Sequence, residues 1–280
     1  MTKISVCTIY ARRRLHLINL IRGLNQSKLP PAELAIALMD GDLPELPTTS
    51  FPIRIARLSN SHTLPLAAAR NKAAEITTTD RLIFLDLDCI CDRDLVSTFD
   101  YFLNQEDALF QGSVKYLAAN WTRDNWTKES LEKESAFNPL QGNPVTGKDK
   151  VSHPYELFWS LCFGVRKKTF LKLGGFDESY IGYGAEDTDF GFTARSCGLP
   201  FFKISALAYH QFHKSYSPPL NHLADIVSNA LVFKHKWGIL PMEKWLQQFT
   251  EMGYIKLKEN SIEILRYPTD TEIAACLKDR

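Results

Sequence analysis

The sequence predicts an α/β fold with a mainly parallel central sheet and helices on both of its faces. Short apolar runs of strand length alternate along the chain with segments whose apolar residues recur at helical spacing. Strands and helices that alternate in this way form βαβ units, in which successive strands are parallel. The apolar run at 81–85 is also followed by two aspartates, Asp86 and Asp88. Because open α/β sheets bind ligands at the carboxyl ends of their strands, these aspartates predict a site at that edge.

The first hundred residues contain the clearest alternation of strands and helices. The predicted strands are 4–10, 34–39, 53–58 and 81–85, and the predicted helices are 16–24 and 66–76. In the first helix, Leu17, Leu20, Ile21 and Leu24 fall on one face, which is typical of a helix that packs on a sheet.

The regular pattern lapses between 111 and 154, where the chain is polar and carries Trp121 and Trp126. Long connections of this kind are usually functional lids or disordered segments. The two tryptophans favour a lid or a sugar-contacting surface, and packing of both rings against the domain is the equal alternative. The pattern then resumes, with an ordered segment at 156–165, a strand at 201–209 and helices at 167–173, 223–237 and 242–252.

Length and charge limit the classes of protein to consider. A chain of 280 residues is long enough for one large α/β domain with a small appendage. Its 33 lysines and arginines balance 32 acidic residues, so broad binding to nucleic acid or to an anionic membrane is not expected. There is no signal-peptide pattern and no apolar run of the roughly 18 residues that a membrane span needs. We therefore expect a soluble, cytoplasmic protein. Most of the six scattered cysteines are expected to be buried thiols.

The first acidic cluster is the Asp-x-Asp formed by Asp86 and Asp88 directly after a predicted buried strand. Magnesium and manganese prefer carboxylate oxygens and leave positions open for substrate phosphates. A strand-end Asp-x-Asp is thus suited to a metal that bridges a nucleotide diphosphate. The alternative is that the two acids cap the following turn near Arg93.

The second acidic cluster follows two glycines, Gly182 and Gly184, which permit a tight loop close to a ligand. So many carboxylates on a short loop repel each other unless sugar hydroxyls, an arginine or a helix N-terminus compensate them. The alternative is an acidic first turn of the helix predicted at 189–197, and both interpretations can hold together. The acidic residues of this cluster are Asp177, Glu178, Glu186, Asp187 and Asp189.

Together, the segments 84–88, 174–178 and 182–190 resemble motifs of glycosyltransferases with the GT-A fold. The resemblance is closest to family-2-type enzymes that share the C-terminal galactosyltransferase motif of the β-1,4-galactosyltransferases and the polypeptide N-acetylgalactosaminyltransferases. It covers roughly 4–213. It implies a GT-A domain at 1–216, with a nucleotide-binding half at 1–103, an irregular lid-like segment at 104–155 and an acceptor and metal half at 156–216. A helical C-terminal extension is expected at 217–280.

The resemblance also implies a role for each motif residue. Asp86 and Asp88 would hold the metal, Mn²⁺ or Mg²⁺, and the nucleotide diphosphate, with Asp88 the surer metal ligand. His210 would be a further metal ligand, and His213 is the competing candidate. Asp187 would be the catalytic base of an inverting enzyme and Glu186 an acceptor ligand. Tyr183 stands where those enzymes often have tryptophan, and it keeps an aromatic sugar platform.

Donor-binding residues are implied in the N-terminal half and beside the donor sugar. Arg12 or Arg13 would contact the nucleotide or its diphosphate, because a guanidinium matches phosphate geometry. Asp40 falls where such enzymes hold the uracil or ribose, and Arg70 matches an arginine that faces the donor nucleotide. Trp159 is also assigned to the donor site, where Ser160 and Leu161 replace the paired glycines often found there.

The predicted function is a metal-dependent glycosyltransferase that moves a hexose or N-acetylhexosamine from a UDP-sugar to a glycan hydroxyl. Its expected partners are the nucleotide-sugar donor and a glycan acceptor. One alternative is a nucleotide-sugar pyrophosphorylase-like nucleotidyltransferase, although no Gly-rich, Lys/Arg-ended loop follows the first strand to hold a triphosphate. The other alternative is a non-catalytic glycan-binding protein of the same fold.

Overall fold

A ten-stranded sheet forms the centre of the computed structural model, which describes residues 3–58, 64–139, 144–259 and 261–278. The strands of the described chain, including four short ones outside this sheet, are β1 (Ile4–Ala11), β2 (Glu33–Asp40), β3 (Ile53–Arg57), β4 (Arg81–Leu85), β5 (Cys89–Cys91), β6 (Leu109–Leu117), β7 (Ser135–Phe137), β8 (Lys150–Ser152), β9 (Cys162–Arg166), β10 (Phe201–His210), β11 (Ser215–Tyr216), β12 (Ile255–Leu257), β13 (Ile262–Ile264) and β14 (Leu277–Lys278).

Helices flank this sheet and continue beyond it toward the C-terminus. The α-helices of the described chain are α1 (Arg14–Asn25), α2 (Leu66–Glu75), α3 (Leu95–Gln105), α4 (Lys128–Lys133), α5 (Lys167–Lys172), α6 (Glu186–Ser196), α7 (Leu223–Trp237), α8 (Glu243–Glu251) and α9 (Asp270–Ala275). None of the helices in the described ranges combines the length and the apolar character that a membrane crossing requires.

The direction of the strands decides which loops meet at one edge of the sheet. The strand order is β3-β2-β1-β4-β9-β6-β10-β5, and β9 is antiparallel to both of its neighbours. The other adjacent pairs from β3 to β10 are parallel, so β3, β2, β1, β4, β6 and β10 all run in one direction. The predicted mainly parallel sheet is confirmed, and the carboxyl ends of six strands lie along the same edge.

Two apolar clusters cover the two faces of the sheet. On one face Leu20 of α1 and Phe99 of α3 pack among buried strand residues such as Ile83. On the other face Ala69 of α2 and Phe190 of α6 pack against a group of stacked phenylalanines that belongs to the same cluster. The predicted helices on both faces are therefore confirmed, and α6 has a fixed position because its Phe190 is fully buried.

The prediction of an irregular segment at 104–155 is wrong in its first part, because β6 lies there and pairs with β9 and β10 inside the sheet. Its apolar pattern is interrupted by Gln111 and Ser113, which are nevertheless buried. Trp121 and Trp126 pack against the domain in one apolar cluster, so the packing alternative is the one observed. Residues 140–143 of this segment lie outside the described residues.

The C-terminal extension has an apolar core of its own, which includes Leu223, Leu246 and Phe249. The helices predicted at 223–237 and 242–252 correspond to α7 and α8. The extension is not wholly helical, because β12 and β13 pair as antiparallel strands and β14 pairs with β11. The apolar residues of β12 and β13 alternate with polar ones over only three residues each, a pattern too short to predict a hairpin.

The carboxylate of Asp189 in α6 holds the end of α7 against the main domain. It is 1 % exposed and accepts hydrogen bonds from Trp237 Nε1 at 2.7 Å, Lys236 Nζ at 2.9 Å and the Tyr180 hydroxyl at 3.1 Å. Lys236 also donates to Asp177 at 2.9 Å. Two acids of the second cluster are thus explained by structural contacts.

Asp189→Ala is expected to lower the free energy of unfolding by about 3–5 kcal/mol, because it leaves Lys236 and the buried donors of Trp237 and Tyr180 without an acceptor. Urea titration followed by circular dichroism measures this loss. Asp270→Ala, at an exposed position, is the control and should change stability by about 0.5 kcal/mol or less. An equal, small effect of both substitutions would show that Asp189 does not anchor α7.

Candidate active site

Several predicted donor and metal residues lie at the edge where the co-directed strands end. Asp40 is the last residue of β2 and His210 the last of β10, while Asp86 and Asp88 follow β4. The chain leaves β1 through Arg12, whose φ of 56° is left-handed and turns it sharply into Arg13 and α1. The strand directions thus bring these residues to one edge although they are far apart in sequence.

The carboxylate of Asp88 is the centre of a group of cationic and imidazole side chains. It is 6 % exposed and accepts hydrogen bonds from Arg13 Nη1 and from His16 Nδ1. His213 Nε2 lies 3.2 Å from the same carboxylate. Burial alone would raise the pKa of Asp88, but the hydrogen bonds from His16 and His213 and the charge of Arg13 hold this pKa below its ordinary value. Asp88 is therefore ionised at neutral pH.

The donor set around Asp88 fits a divalent metal ion. Ligand atoms of Asp88, His210 and His213 all lie within 4.8 Å of one another. Burial lowers the pKa of His210 to about 4, so its imidazole is neutral, which is the form that binds a metal. One carboxylate and two imidazoles suit manganese or another transition metal better than magnesium, which prefers oxygen ligands. His210 and His213, the two alternative metal ligands of the sequence analysis, both belong to this group.

Asp86 is not a member of that three-residue group, although the Asp-x-Asp motif predicts a shared role. It is half-buried; its backbone C=O accepts from the Cys89 N–H at 2.9 Å and closes the turn that follows β4, while its N–H donates to the Leu161 carbonyl at 2.8 Å. Burial and the adjacent charge of Asp88 raise the pKa of Asp86, and the charge of Arg70 opposes this rise. The predicted role of Asp86 in binding the donor stays a prediction.

The second acidic cluster begins α6, and its loop has the glycine conformations that the sequence predicts. Gly182 and Gly184 have positive φ, and so does Ala185 directly before the helix. Glu186 and Arg70, both buried, form an ion pair with Glu186 Oε1 2.9 Å from Arg70 Nη1. Arg70 also lies over the ring of Phe176, at 5.1 Å from its centroid. The charge of Glu186 is thus compensated inside the protein.

Within the described residues, Asp187 forms no such ion pair. Its carboxylate accepts from the Thr188 backbone N–H at 2.8 Å and the Thr188 hydroxyl at 3.5 Å. Burial and the neighbouring charge of Glu186 raise the pKa of Asp187 to about 7, and Arg70 only partly offsets this. A carboxylate whose pKa lies near the working pH is suited to general base catalysis.

Tyr183, predicted as an acceptor-binding platform, is half-buried beneath the C-terminal extension. Its ring stacks on His222, with centroids 4.6 Å apart, and lies 6.0 Å from Trp245. The amide of Asn229 in α7 donates to three backbone carbonyls of the loop, including that of Gly184 at 2.9 Å. The extension therefore holds the acidic loop in place, and part of the Tyr183 surface is occupied by His222.

The remaining donor-site candidates lie at the same edge but contact different partners. Arg12 pairs with Asp40 at 2.5 Å on the exposed side, whereas Arg13 contacts Asp88. The backbone N–H of Trp159 donates to Gln111 Oε1 at 2.9 Å, which fixes the turn before β9. The structure thus gathers Arg13, Asp88 and the two histidines, and it leaves Arg12 with Asp40 as a separate pair.

Sequence reasoning missed two residues that build the site. His16 contacts Asp88 across 72 residues of chain, and no motif marks it. Gln211 is fully buried, and its side chain donates to the backbone carbonyls of His16 and Leu87 at 3.1 and 3.4 Å. The only signal for His16 was its position at the start of the helix after β1, and the only signal for Gln211 was its position directly after β10.

Comparisons with known proteins identify first the fold and then the family. The crystal structure of GalNAc-T7 with UDP, GalNAc and Mn²⁺ aligns with a TM-score of 0.57 and 11 % identity over 90 % of this chain and 57 % of that one. The crystal structure of residues 1–349 of S. aureus TarS aligns with a TM-score of 0.52 and 13 % identity over 83 % and 66 %. Its complex with UDP gives a TM-score of 0.53 and 15 % identity over the same shares.

These similarities show that the chain has the GT-A glycosyltransferase fold, as predicted. Residues 53–220, more than half of the chain, match the family described as glycosyltransferase like family 2, and the chain belongs to that family. No curated protein matches the chain. It spans less than two thirds of the length of the GalNAc-T7 and TarS chains. The narrower resemblance of the second motif to galactosyltransferases stays a prediction.

Proposed function

We propose that this protein transfers a hexose or N-acetylhexosamine from a UDP-sugar to a glycan hydroxyl, with inversion at the sugar carbon. The observation that carries the proposal is a pair of differently tuned sites that the charge of Arg70 connects, since it acts on both Asp86 and Asp187. One is the ligand group of Asp88, His210 and His213, and the other is Asp187, with a pKa raised to about 7. The first suits a nucleotide diphosphate with its cation, and the second suits removal of a hydroxyl proton.

The donor diphosphate lies at Asp88 in this proposal. Mn²⁺, or Mg²⁺, held by Asp88, His210 and His213 would neutralise the charge that develops on the departing diphosphate. Arg13 is 44 % exposed at its side chain and lies at the same carboxylate, so it contributes a guanidinium for the phosphate oxygens. GalNAc-T7 has been crystallised with UDP and Mn²⁺, and TarS with UDP, which supports a nucleotide donor with a metal here.

The acceptor hydroxyl lies at Asp187, which takes its proton as the hydroxyl oxygen attacks the sugar carbon. Arg70 is paired with Glu186, and Glu186 binds the acceptor beside the base. The charge of Arg70 acts on the pKa of both Asp86 and Asp187, which supports its position between the donor and acceptor halves of the cleft. Tyr183 contributes the exposed part of its ring to the acceptor, and the His222 ring stacked on it limits how far a sugar reaches.

The remaining predicted residues complete the donor site. Asp40, paired with Arg12, binds the uracil or ribose at the end of β2, and Asp86 and Trp159 lie toward the donor sugar. Residues 1–216 form the catalytic domain, with nucleotide binding in 1–103 and the acceptor and metal groups in 156–216. Residues 217–280 stabilise the acceptor loop, a role supported by the contacts of Asn229 and His222 with that loop.

Release of UDP from a panel of UDP-sugars, with and without manganese, tests this proposal. We expect manganese-dependent release with one donor, faster when a glycan acceptor is present than in slow hydrolysis without one. Formation of a nucleoside triphosphate from the sugar nucleotide and pyrophosphate would instead establish a pyrophosphorylase. Neither product, together with no binding of UDP or manganese by calorimetry, would leave a non-catalytic glycan-binding protein.

A further inference from the structure

Within the described ranges, the imidazole of His210 is contacted by two neighbouring rings and held by no hydrogen bond. A histidine that binds a metal ion usually donates its second ring N–H to a carboxylate, a carbonyl or water, and this contact orients the ring. His210 is the last residue of β10 and is half-buried. The plane of its ring therefore depends on what packs against it.

The ring of Tyr116 stacks on this imidazole. The two ring centroids are 4.8 Å apart, and the ring planes differ by 28°. The ring of His213, the other imidazole of the ligand group, lies at 5.2 Å and is tilted by 47°. Stacking at the separation of the first pair is favourable for aromatic rings. Tyr116 thus gives His210 a flat surface on which its imidazole lies.

The register of the sheet produces this stack. Tyr116 in β6 is paired with His210 in the parallel ladder between β6 and β10, so the two side chains project side by side from one face of the sheet. On its other side Tyr116 is paired with Ala136 of β7. Its half-buried ring also packs against the apolar cluster that includes Leu20 and Phe99. A ring restrained in this way can in turn restrain the imidazole that lies on it.

We propose that Tyr116 is a positioning residue of the metal site, whose ring fixes the plane of the His210 imidazole. Given the proposed function, on which this step rests, the imidazole meets the cation with Asp88 and His213 without first losing rotational freedom. The flat ring is what acts, so phenylalanine should replace Tyr116 and an aliphatic residue should not. A residue that only filled space in the sheet would affect folding and leave the metal affinity unchanged.

The test is binding of Mn²⁺ to the full chain with saturating UDP, followed by the electron paramagnetic resonance signal of free Mn²⁺. Asp88→Asn under the same conditions gives the background of Mn²⁺ that UDP binds without the site. We expect Tyr116→Leu to weaken Mn²⁺ binding roughly tenfold, a typical loss when a residue that orients a metal ligand is removed. Tyr116→Phe should bind Mn²⁺ with the affinity of the wild-type protein.

Phe202→Leu is the matched control. Phe202 is a half-buried residue of β10 whose ring stacks on Phe110 across the same two strands, at the opposite end from His210. This variant should keep the full Mn²⁺ affinity, and its melting temperature gives the cost of removing such a ring from the sheet. Tyr116→Ile, with a β-branched side chain that suits a strand, is a second aliphatic variant and should show the same loss of Mn²⁺ affinity as Tyr116→Leu.

A variant of His210 shows whether Tyr116 acts through this histidine. In the His210→Gln background, Tyr116→Leu should cause no further loss of Mn²⁺ affinity, whereas independent effects would add. The proposal is overturned by an unchanged affinity in Tyr116→Leu, an equal loss in Phe202→Leu or in Tyr116→Phe, or additive effects with His210→Gln. A wild-type protein that binds no Mn²⁺ with UDP would overturn the metal site of the proposed function as well, so the two failures are distinguishable.

Discussion

Asp187→Asn is expected to lower the rate of sugar transfer by roughly a hundredfold to ten-thousandfold while UDP binding stays unchanged. The amide keeps the shape of the side chain and its contact with Thr188, but it cannot take a proton from the acceptor hydroxyl. Steady-state kinetics of UDP release with acceptor, together with calorimetry of UDP, measures the two effects separately. Asp177→Asn makes the same chemical change at the other end of the acidic loop and should alter the rate only a few fold.

The pH dependence of the transfer rate is a second test of Asp187 as the catalytic base. Burial and Glu186 raise the pKa of Asp187 to about 7, so the protonated, inactive form prevails below that pH. Transfer by the wild-type protein is expected to rise with pH and to level off above about 7, and the residual rate of Asp187→Asn should lack this limb. A variant that keeps near-normal turnover, or a wild-type profile flat between pH 5 and 8, would exclude Asp187 as the base.

The raised pKa of Asp187 also makes the stability of the folded protein depend on pH. The direction of this dependence distinguishes a functional carboxylate from one that holds the structure together. An aspartate whose pKa is raised in the folded state favours folding while it is protonated, and this contribution is lost as the pH rises toward 7. Asp187→Asn should therefore raise the melting temperature at pH 8 and change it little at pH 4. A lower melting temperature at pH 8 would show that Asp187 holds the loop together.

The sequence predicts those parts of the site that follow from the direction of a strand. Asp86 and Asp88 were identifiable because they stand where an apolar run ends, and parallel strands end at a common edge. Asp40 and His210 stand at strand ends as well, but only the family resemblance implied them. The reversal of β9 could not be predicted in this way, because its buried run Cys162–Arg166 has the same pattern in either direction. The family resemblance, by contrast, predicted the fold without needing that detail.

Contacts between distant segments were outside what sequence patterns predict. Arg70 and Glu186 pair across 116 residues, and the motifs suggest a different role for each and no contact between them. The strand β6 was missed because burial of Gln111 depends on its bonds to the turn at 157–159, which belongs to another part of the chain. Polar residues that are buried by such pairing look like loop residues in the sequence.

Asp88→Asn is expected to abolish the increase in UDP affinity that manganese gives to the wild-type protein. The substitution removes the only carboxylate of the three-residue ligand group and replaces it with a neutral amide, whereas the histidines and Arg13 stay. Calorimetric titration of UDP with and without manganese measures the loss, and transfer should fall with it. Asp94→Asn, at a nearby half-exposed ion pair with Lys28, is the control and should keep the full manganese effect.

Substitutions of His210 and His213 then test whether both histidines bind the metal together with Asp88. Both imidazoles lie with Asp88 inside a 4.8 Å group, so His210→Gln and His213→Gln should each weaken the manganese-dependent gain in UDP affinity. If His213→Gln keeps that gain in full and His210→Gln does not, His213 orients Asp88 through their 3.2 Å contact and leaves the metal to the other two. Asp88→Asn with an unchanged manganese effect would remove the group from the donor site altogether.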